Sequence, residues 1–349
     1  MTDMDIDARR QGTLGHLTLN RPKAINALTA GMVNAIDAAL AQWAAEDEVN
    51  AVLIDGAGER GLCAGGDIRF LYENARAGTF EAAERFLCDE YRMNAHIARF
   101  PKPYIAIMDG LVMGGGVGVS AHGSVRIVTE RTRLAMPEVG IGFVPDVGST
   151  YLLSAAAGEY GTHAALTGET IGAADAMLCG LADHHVASDR LPALVEALSE
   201  CRDAAAIAQC VAAHASPAAP GRLAEAAWID ACYRHDDVGE IMAALADRPE
   251  EAAQAAAKRI GGNAPASLVV TLRALRNGRR LGRLEPCLEQ EYRLGTGLLR
   301  HPDFIEGVRA AVIDKDRNPA WHPAVLADVD PDVIDGLFRS TVSLDFPAA

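Results

Sequence analysis

The chain has 349 residues, 50% of them hydrophobic, enough for a substantial core in one large domain or two smaller ones. Its formal net charge of −15 and pI of about 5.1 leave no basic face for phosphates, which argues against a nucleic-acid partner. In such a field an anionic ligand needs a local seat of its own.

The opening MTDMDIDARRQG is polar and acidic, unlike a signal or transit peptide. No apolar run is long enough to span a bilayer, so no membrane partner is expected. The seven cysteines are scattered and form no CxxC, which argues against a zinc site and a disulfide framework. Free thiols fit a reducing cytosol, and a cytoplasmic location is the expectation.

Leu14, Leu17 and Leu19 predict a first strand over residues 12–20. Arg21 to Leu28 follows as a turn, with Thr29 as a helix cap, and residues 32–43 read as an amphipathic helix. Ala51 to Gly56 is a buried strand and turn. Ala64-Gly65-Gly66-Asp67 then precedes a predicted helix over 68–75. The Gly66 N–H is either half of an oxyanion hole or part of a plain turn.

Phe86, Leu87, Met93, Ile97 and Phe100 predict an amphipathic helix around Glu90. Spacing alone makes Glu90 a solvated helix residue, with Asp89 beside it. Tyr104 to Met108 is the next strand, followed by a turn at Asp109-Gly110. Gly114, Gly115 and Gly116 then lead into small residues 117–121 that suit the first turns of a helix. A helix N-terminus offers free N–H groups, and glycine lets a ligand approach them. The cluster is a seat for a negative oxygen or a tight strand-to-helix turn. No Gly-Lys-Ser/Thr follows, and the spacing is wrong for a GxGxxG dinucleotide loop.

After a strand at 124–129 come two carboxylates with apolar or glycine flanks: Glu138 in MPEVGIGF and Asp146 in VPDVG. Desolvation there would raise a carboxyl pKa and suit it to proton transfer or nucleophilic attack. The bland alternatives are a helix-cap partner for Glu138 and a Pro-Asp turn residue for Asp146. The alternation of strands and helices predicts an α/β fold.

Beyond Tyr151 the chain is alanine-rich. His184-His185 has no carboxylate or cysteine at ligand spacing and reads as structural. A loop is expected at 214–221. Helices are expected at 238–246, 250–260, 265–276 and 284–299. The one basic cluster, Arg273 to Arg280, suits either the phosphates of a ligand or a solvated helix end.

GLCAGGDIR (61–69), MGGGVGVSAHG (113–123) and AMPEVGIGFVPDVG (135–148) together resemble the core of the enoyl-CoA hydratase/isomerase (crotonase) superfamily. Thr167 to Ala176 and Gly180 to Val186 resemble the segment that closes that core. The runs 303–310, 313–316 and 319–321 are similar to its 3-hydroxyisobutyryl-CoA hydrolase branch. The resemblance implies a spiral of repeated ββα units with a helical C-terminal region. We divide it as a core over 1–200 and a mainly helical region over 201–349 that packs on the core. It implies an oxyanion hole from Gly66 and Gly115. It implies catalysis by Glu138 and Asp146, with Glu90, Gly115, Glu138 and Asp146 contacting the acyl group. Lys23, Ala24, Ala64, Gly66, Asp67 and Ile68 would hold CoA, with Arg21 an alternative to Lys23 for phosphate.

The superfamily's hydratases use two glutamates on water. The first would fall at Gly118; only the second, Glu138, is present, and Asp146 stands where hydratases usually carry glycine. The pattern favours hydrolysis of a short β-hydroxyacyl-CoA, most of all 3-hydroxyisobutyryl-CoA of valine catabolism. The rivals are hydration or isomerisation of a short enoyl-CoA, and a non-catalytic acyl-CoA-binding protein. No metal and no separate cofactor are implied, since CoA is part of the substrate. Trimers or hexamers in the superfamily leave a homo-oligomer open, although the extended C-terminal region could block that assembly.

Overall fold

The computed structural model describes residues 5–346. Its first half winds β1 (Ile6–Gln11), β2 (Leu14–Leu19), α1 (Ala30–Ala45), β3 (Ala51–Gly56), α2 (Ile68–Ala77), α3 (Glu81–Ala98), β4 (Tyr104–Met108), β5 (Leu111–Met113), α4 (Gly115–Ser120), β6 (Val125–Val128) and β7 (Arg133–Ala135). Next come α5 (Ser149–Ser154), α6 (Tyr160–Thr167), α7 (Ala173–Leu178), β8 (His184–His185), α8 (Leu191–Leu198) and α9 (Ala204–His214). The chain ends in α10 (Trp228–Tyr233), α11 (Val238–Ala246), α12 (Glu251–Ile260), α13 (Pro265–Leu281), α14 (Leu284–Leu298), α15 (Pro302–Val308) and α16 (Pro331–Arg339).

The main sheet has the order β1-β2-β3-β4-β6-β8. β1 and β2 are antiparallel; the remaining pairs are parallel. Parallel strands need a crossover, and both sheet faces are therefore covered. Strand residues alternate between two cores: Val52 and Ile54 face one, Ala51 and Leu53 the other. The smaller core is closed by Leu194 and Leu198 of α8 and Ile207 and Val211 of α9.

A second, shorter layer gives the spiral its other strand per turn. β5 pairs with β7, and single bridges join Leu28 to Gly66, Cys63 to Val112 and Leu134 to Ile171. This is the ββα spiral that the family resemblance implied, with a helical region after it. The layer brings Gly66 and Gly115 together, although they lie far apart in the chain. β1 was not foreseen, because its ARR centre is polar. It is an edge strand with those residues exposed. His184 and His185 form the opposite edge strand, paired with Ile127 and Val128.

The C-terminal helices support the core: α13 packs on α5, and α14 on α3 and α5. α15 packs on α2 and on the 3-10 turn Glu138–Ile141. Gly307 makes that last contact possible, since a Cβ there would stand 2.5 Å from the Ile141 carbonyl carbon. No helix of the described residues is long and apolar enough to cross a membrane. We expect Gly307→Ala to lower unfolding stability by about 1–3 kcal/mol, because the clash is with backbone that cannot move aside. Urea unfolding measures it; an unchanged midpoint would show that α15 does not brace the turn.

Candidate active site

One cavity of about 400 Å³ gathers residues from five segments of the chain. It is lined by Ala64, Gly66 and Ile68, by Glu90 of α3, by Gly114 and Gly115, by Glu138 and Asp146, and by Ala311 and Val312. Apolar walls come from Phe86, Leu87 and Phe143. Among the described residues no lysine or arginine lines it.

The glycines fix the backbone geometry. Gly65 (φ 107°) and Gly114 (φ 48°) hold conformations that a side chain disfavours. α4 begins at Gly115 itself, two residues earlier than the sequence suggested, so the Gly115 N–H is a free first-turn donor. A Cβ on Gly115 would lie 3.1 Å from Gly66 N and 2.5 Å from Glu90 Oε1. A Cβ on Gly114 would lie 2.9 Å from Glu138 Oε1. Two backbone donors thus stand side by side, with one carboxyl against each flank.

Three carboxyl groups meet here and all are buried: Glu90 is 2% exposed, Glu138 7% and Asp146 7%. The solvated-surface alternative for Glu90 is excluded; Asp89 is half-buried and does not line the cavity. Asp146 Oδ2 accepts a 2.6 Å hydrogen bond from the Tyr91 hydroxyl. Glu90 Oε1 and Glu138 Oε2 have no hydrogen-bond partner among the described residues. Burial raises all three pKa values. Asp146 is pushed up only to about 6, because the Tyr91 bond favours its charged form. Glu90 and Glu138 lie well above the usual carboxylate range, from burial first and the neighbouring Asp146 charge second.

At Gly118 the space is taken. A Cβ would lie 2.8 Å from both Asn94 Nδ2 and Val147 Cβ, so the position of the absent hydratase glutamate is packed shut.

Lys23, Ala24 and Asp67 do not line the cavity. Lys23 and Ala24 sit in the exposed 3-10 turn Pro22–Ala24, whose Pro22 and Lys23 carbonyls accept bonds from Arg60. That turn is tied to the rim, because Ala64 N donates to Ile25 O at 2.9 Å. Asp67 pairs with Arg21 at 3.3 Å, which engages the alternative phosphate residue. The basic cluster lies elsewhere, inside a helix that runs on to Leu281. Arg273 pairs with Asp335, Arg276 with Glu159 and Asp236, and Arg279 with Glu159.

Sequence reasoning missed Tyr91, Asn94 and Glu291. Tyr91 is a neighbour of Glu90 on α3, and Asn94 lies one turn beyond. Glu291 carried a legible signal: with Leu284, Leu288, Leu294 and Leu298 it keeps the period of an apolar helix stripe, so a buried carboxylate is implied.

The chain belongs to the enoyl-CoA hydratase/isomerase family, whose profile matches residues 14–338. Within that family it is similar to the mitochondrial 3-hydroxyisobutyryl-CoA hydrolase of Danio rerio, 39% identical over 94% of this chain and 88% of the relative. The human protein of the same name is 38% identical over 96% of this chain and 89% of its own. Two solved structures share the shape. A protein from Mycobacterium thermoresistibile, described as a carnitinyl-CoA dehydratase, is 49% identical with a TM-score of 0.94, covering 99% of each chain. One from Rhodobacter sphaeroides, described as an enoyl-CoA hydratase, is 38% identical with a TM-score of 0.92, covering 98% of this chain and 100% of that one.

The raised carboxyl values predict a pH signature. In the native state Glu138 keeps its proton above about 4.3, the value of a free glutamate. The native state then binds more protons than the unfolded one, so stability falls as pH rises from about 4.3 through the native value. Glu138→Gln removes that cost. We expect its Tm to exceed wild type at pH 8 and to match it at pH 4; an equal difference at both pH values would contradict the assignment of a buried, proton-retaining Glu138.

Proposed function

We propose that this protein hydrolyses a short β-hydroxyacyl-CoA thioester, with 3-hydroxyisobutyryl-CoA as the preferred substrate. The observation that carries this is the pairing of Glu138 with Asp146 around two free glycine N–H groups, with no room for a carboxylate at Gly118. The names of the similar hydrolases support it. The hydratase and dehydratase names of the two solved structures favour the rival reaction on the same cavity. That reaction, with two glutamates on one water, would need the position that Asn94 and Val147 fill.

In this reading Gly66 N–H and Gly115 N–H hold the thioester oxygen and stabilise the charge that grows on it. The Glu138–Asp146 pair shares one proton; in the reacting form it sits on Asp146, and Glu138, as the carboxylate, attacks the carbonyl carbon or deprotonates a water that does. Asp146 holds the proton that the leaving CoA thiolate takes when the C–S bond breaks. In the direct-attack route water then cleaves the mixed anhydride, with Asp146 as base, and frees Glu138 and the hydroxy acid. Glu90 faces the hydroxyl of the acyl group. A neutral Glu90 donates a hydrogen bond without adding charge beside an oxyanion. CoA approaches over Ala64 and Ile68, with Lys23 exposed beside that path. No step calls for a metal or a separate cofactor.

The test is release of free CoA thiol from 3-hydroxyisobutyryl-CoA, with acetyl-CoA and crotonyl-CoA alongside. We expect rapid thiol release from the hydroxyacyl substrate and a loss on the order of 10²–10⁴-fold in Glu138→Gln. Consumption of crotonyl-CoA without thiol release would overturn the reading in favour of hydration. Tight acyl-CoA binding without any turnover would make the chain a binding protein.

A further inference from the structure

Asp146 is followed by two residues in the left-handed region, Val147 (φ 54°) and Gly148 (φ 82°). Gly148 can adopt this freely, and nothing larger fits: a Cβ there would lie 2.6 Å from the His122 ring and from Leu284. Val147 cannot, because a β-branched side chain disfavours positive φ. Such a turn persists only where its surroundings hold it.

Two groups hold it. His122 Nε2–H donates to Val147 O at 2.7 Å; burial lowers this histidine to about 4, so it is neutral. Glu291, fully buried on α14, is the second. Its Oε2 accepts from Gly148 N at 2.6 Å, and its Oε1 accepts from Thr150 N at 2.8 Å and Thr150 Oγ1 at 2.5 Å. One side chain from the C-terminal helices thereby receives three donors from the segment that directly follows Asp146. Burial raises Glu291 to about 8, against the three hydrogen bonds that favour its charged form.

We propose that Glu291 is the positioning residue of this site: it locks the Val147–Gly148 turn and so sets the aim of the Asp146 carboxyl at Tyr91 and at the substrate. It does not line the cavity and takes no part in bond making. The catalytic half of this inference rests on the thioester-hydrolase reading above; the structural half does not. Glutamine at 291 puts an NH₂ group against backbone N–H or hydroxyl donors, so at least one contact becomes donor against donor. The turn relaxes, and Asp146 loses its register with Tyr91. The Gly66 and Gly115 amides and the CoA path are left in place.

The test combines kinetics with an observation that needs no turnover. In Glu291→Gln we expect kcat to fall on the order of 10²-fold, the effect of displacing a reacting group by about 1 Å, with KM unchanged. Thr150→Val removes one of the three donors to Glu291, the hydroxyl, which also lies against Cys287, and keeps the proposal falsifiable should Glu291→Gln fail to fold. There kcat should fall about threefold to tenfold, the worth of one ordinary hydrogen bond, again at constant KM. The second readout is the carboxyl ¹³C titration of Asp146, assigned with Asp146→Asn. The groups facing this carboxyl are Tyr91, Glu90, Glu138 and Glu291. Its midpoint should lie near 6 in wild type and move upward in both variants, as the Tyr91 bond loosens. Variants that lose only Tm, with wild-type kcat and an unmoved Asp146 midpoint, overturn the proposal. Wild-type protein that releases no thiol overturns the hydrolase reading instead, and the titration still decides the role of Glu291.

Discussion

The structure depends on keeping several carboxyl groups inside one small volume without a cation. Glu90, Glu138 and Asp146 share a cavity that no lysine or arginine of the described residues lines, and Glu291 lies just behind it. An isolated buried carboxylate is so costly that the group normally keeps its proton. Here local hydrogen bonding sets the three carboxyls apart. The Tyr91 hydroxyl bond offsets part of the burial penalty at Asp146, whereas Glu90 Oε1 and Glu138 Oε2 have no hydrogen-bond partner among the described residues.

The fold supplies that rigidity by layering. Each turn of the spiral adds a strand to the main sheet and a short bridge to a second layer. The second layer is what sets Gly66 beside Gly115. The C-terminal helices then brace the cavity-lining segments from outside. Ala264 N, at the start of α13, donates to Val139 O; α15 packs on the Glu138 turn; and α14 carries Glu291 to the Asp146 turn. The cavity is therefore a product of both halves of the chain.

Much of this was legible in the sequence, and the limits were physical. Glu138, Asp146, Gly66 and Gly115 stand in runs where apolar residues, proline and glycine leave few other conformations, so local chemistry pointed to them. Glu90 needed the family resemblance, because helix spacing alone does not tell a buried carboxylate from a solvated one. Tyr91 and Glu291 act through contacts 55 and more than 140 residues away in the chain, and no local pattern encodes such a partner. The Arg273–Arg280 cluster shows the reverse: a basic run that suited phosphate is largely spent on ion pairs with Glu159, Asp236 and Asp335.

Hydrolysis and hydration differ here by what surrounds one carbonyl. Both would use the paired glycine amides; only the hydrolase needs Glu138 within reach of the carbonyl carbon itself. The most direct measurement is a crystal structure with a non-cleavable thioether or ketone analogue of the β-hydroxyacyl-CoA. The account predicts the analogue's carbonyl oxygen within hydrogen-bond distance of both Gly66 N and Gly115 N, its carbonyl carbon facing Glu138, and its hydroxyl on Glu90. A carbonyl turned away from the two amides, or a Glu138 that faces the β-carbon instead, would contradict it.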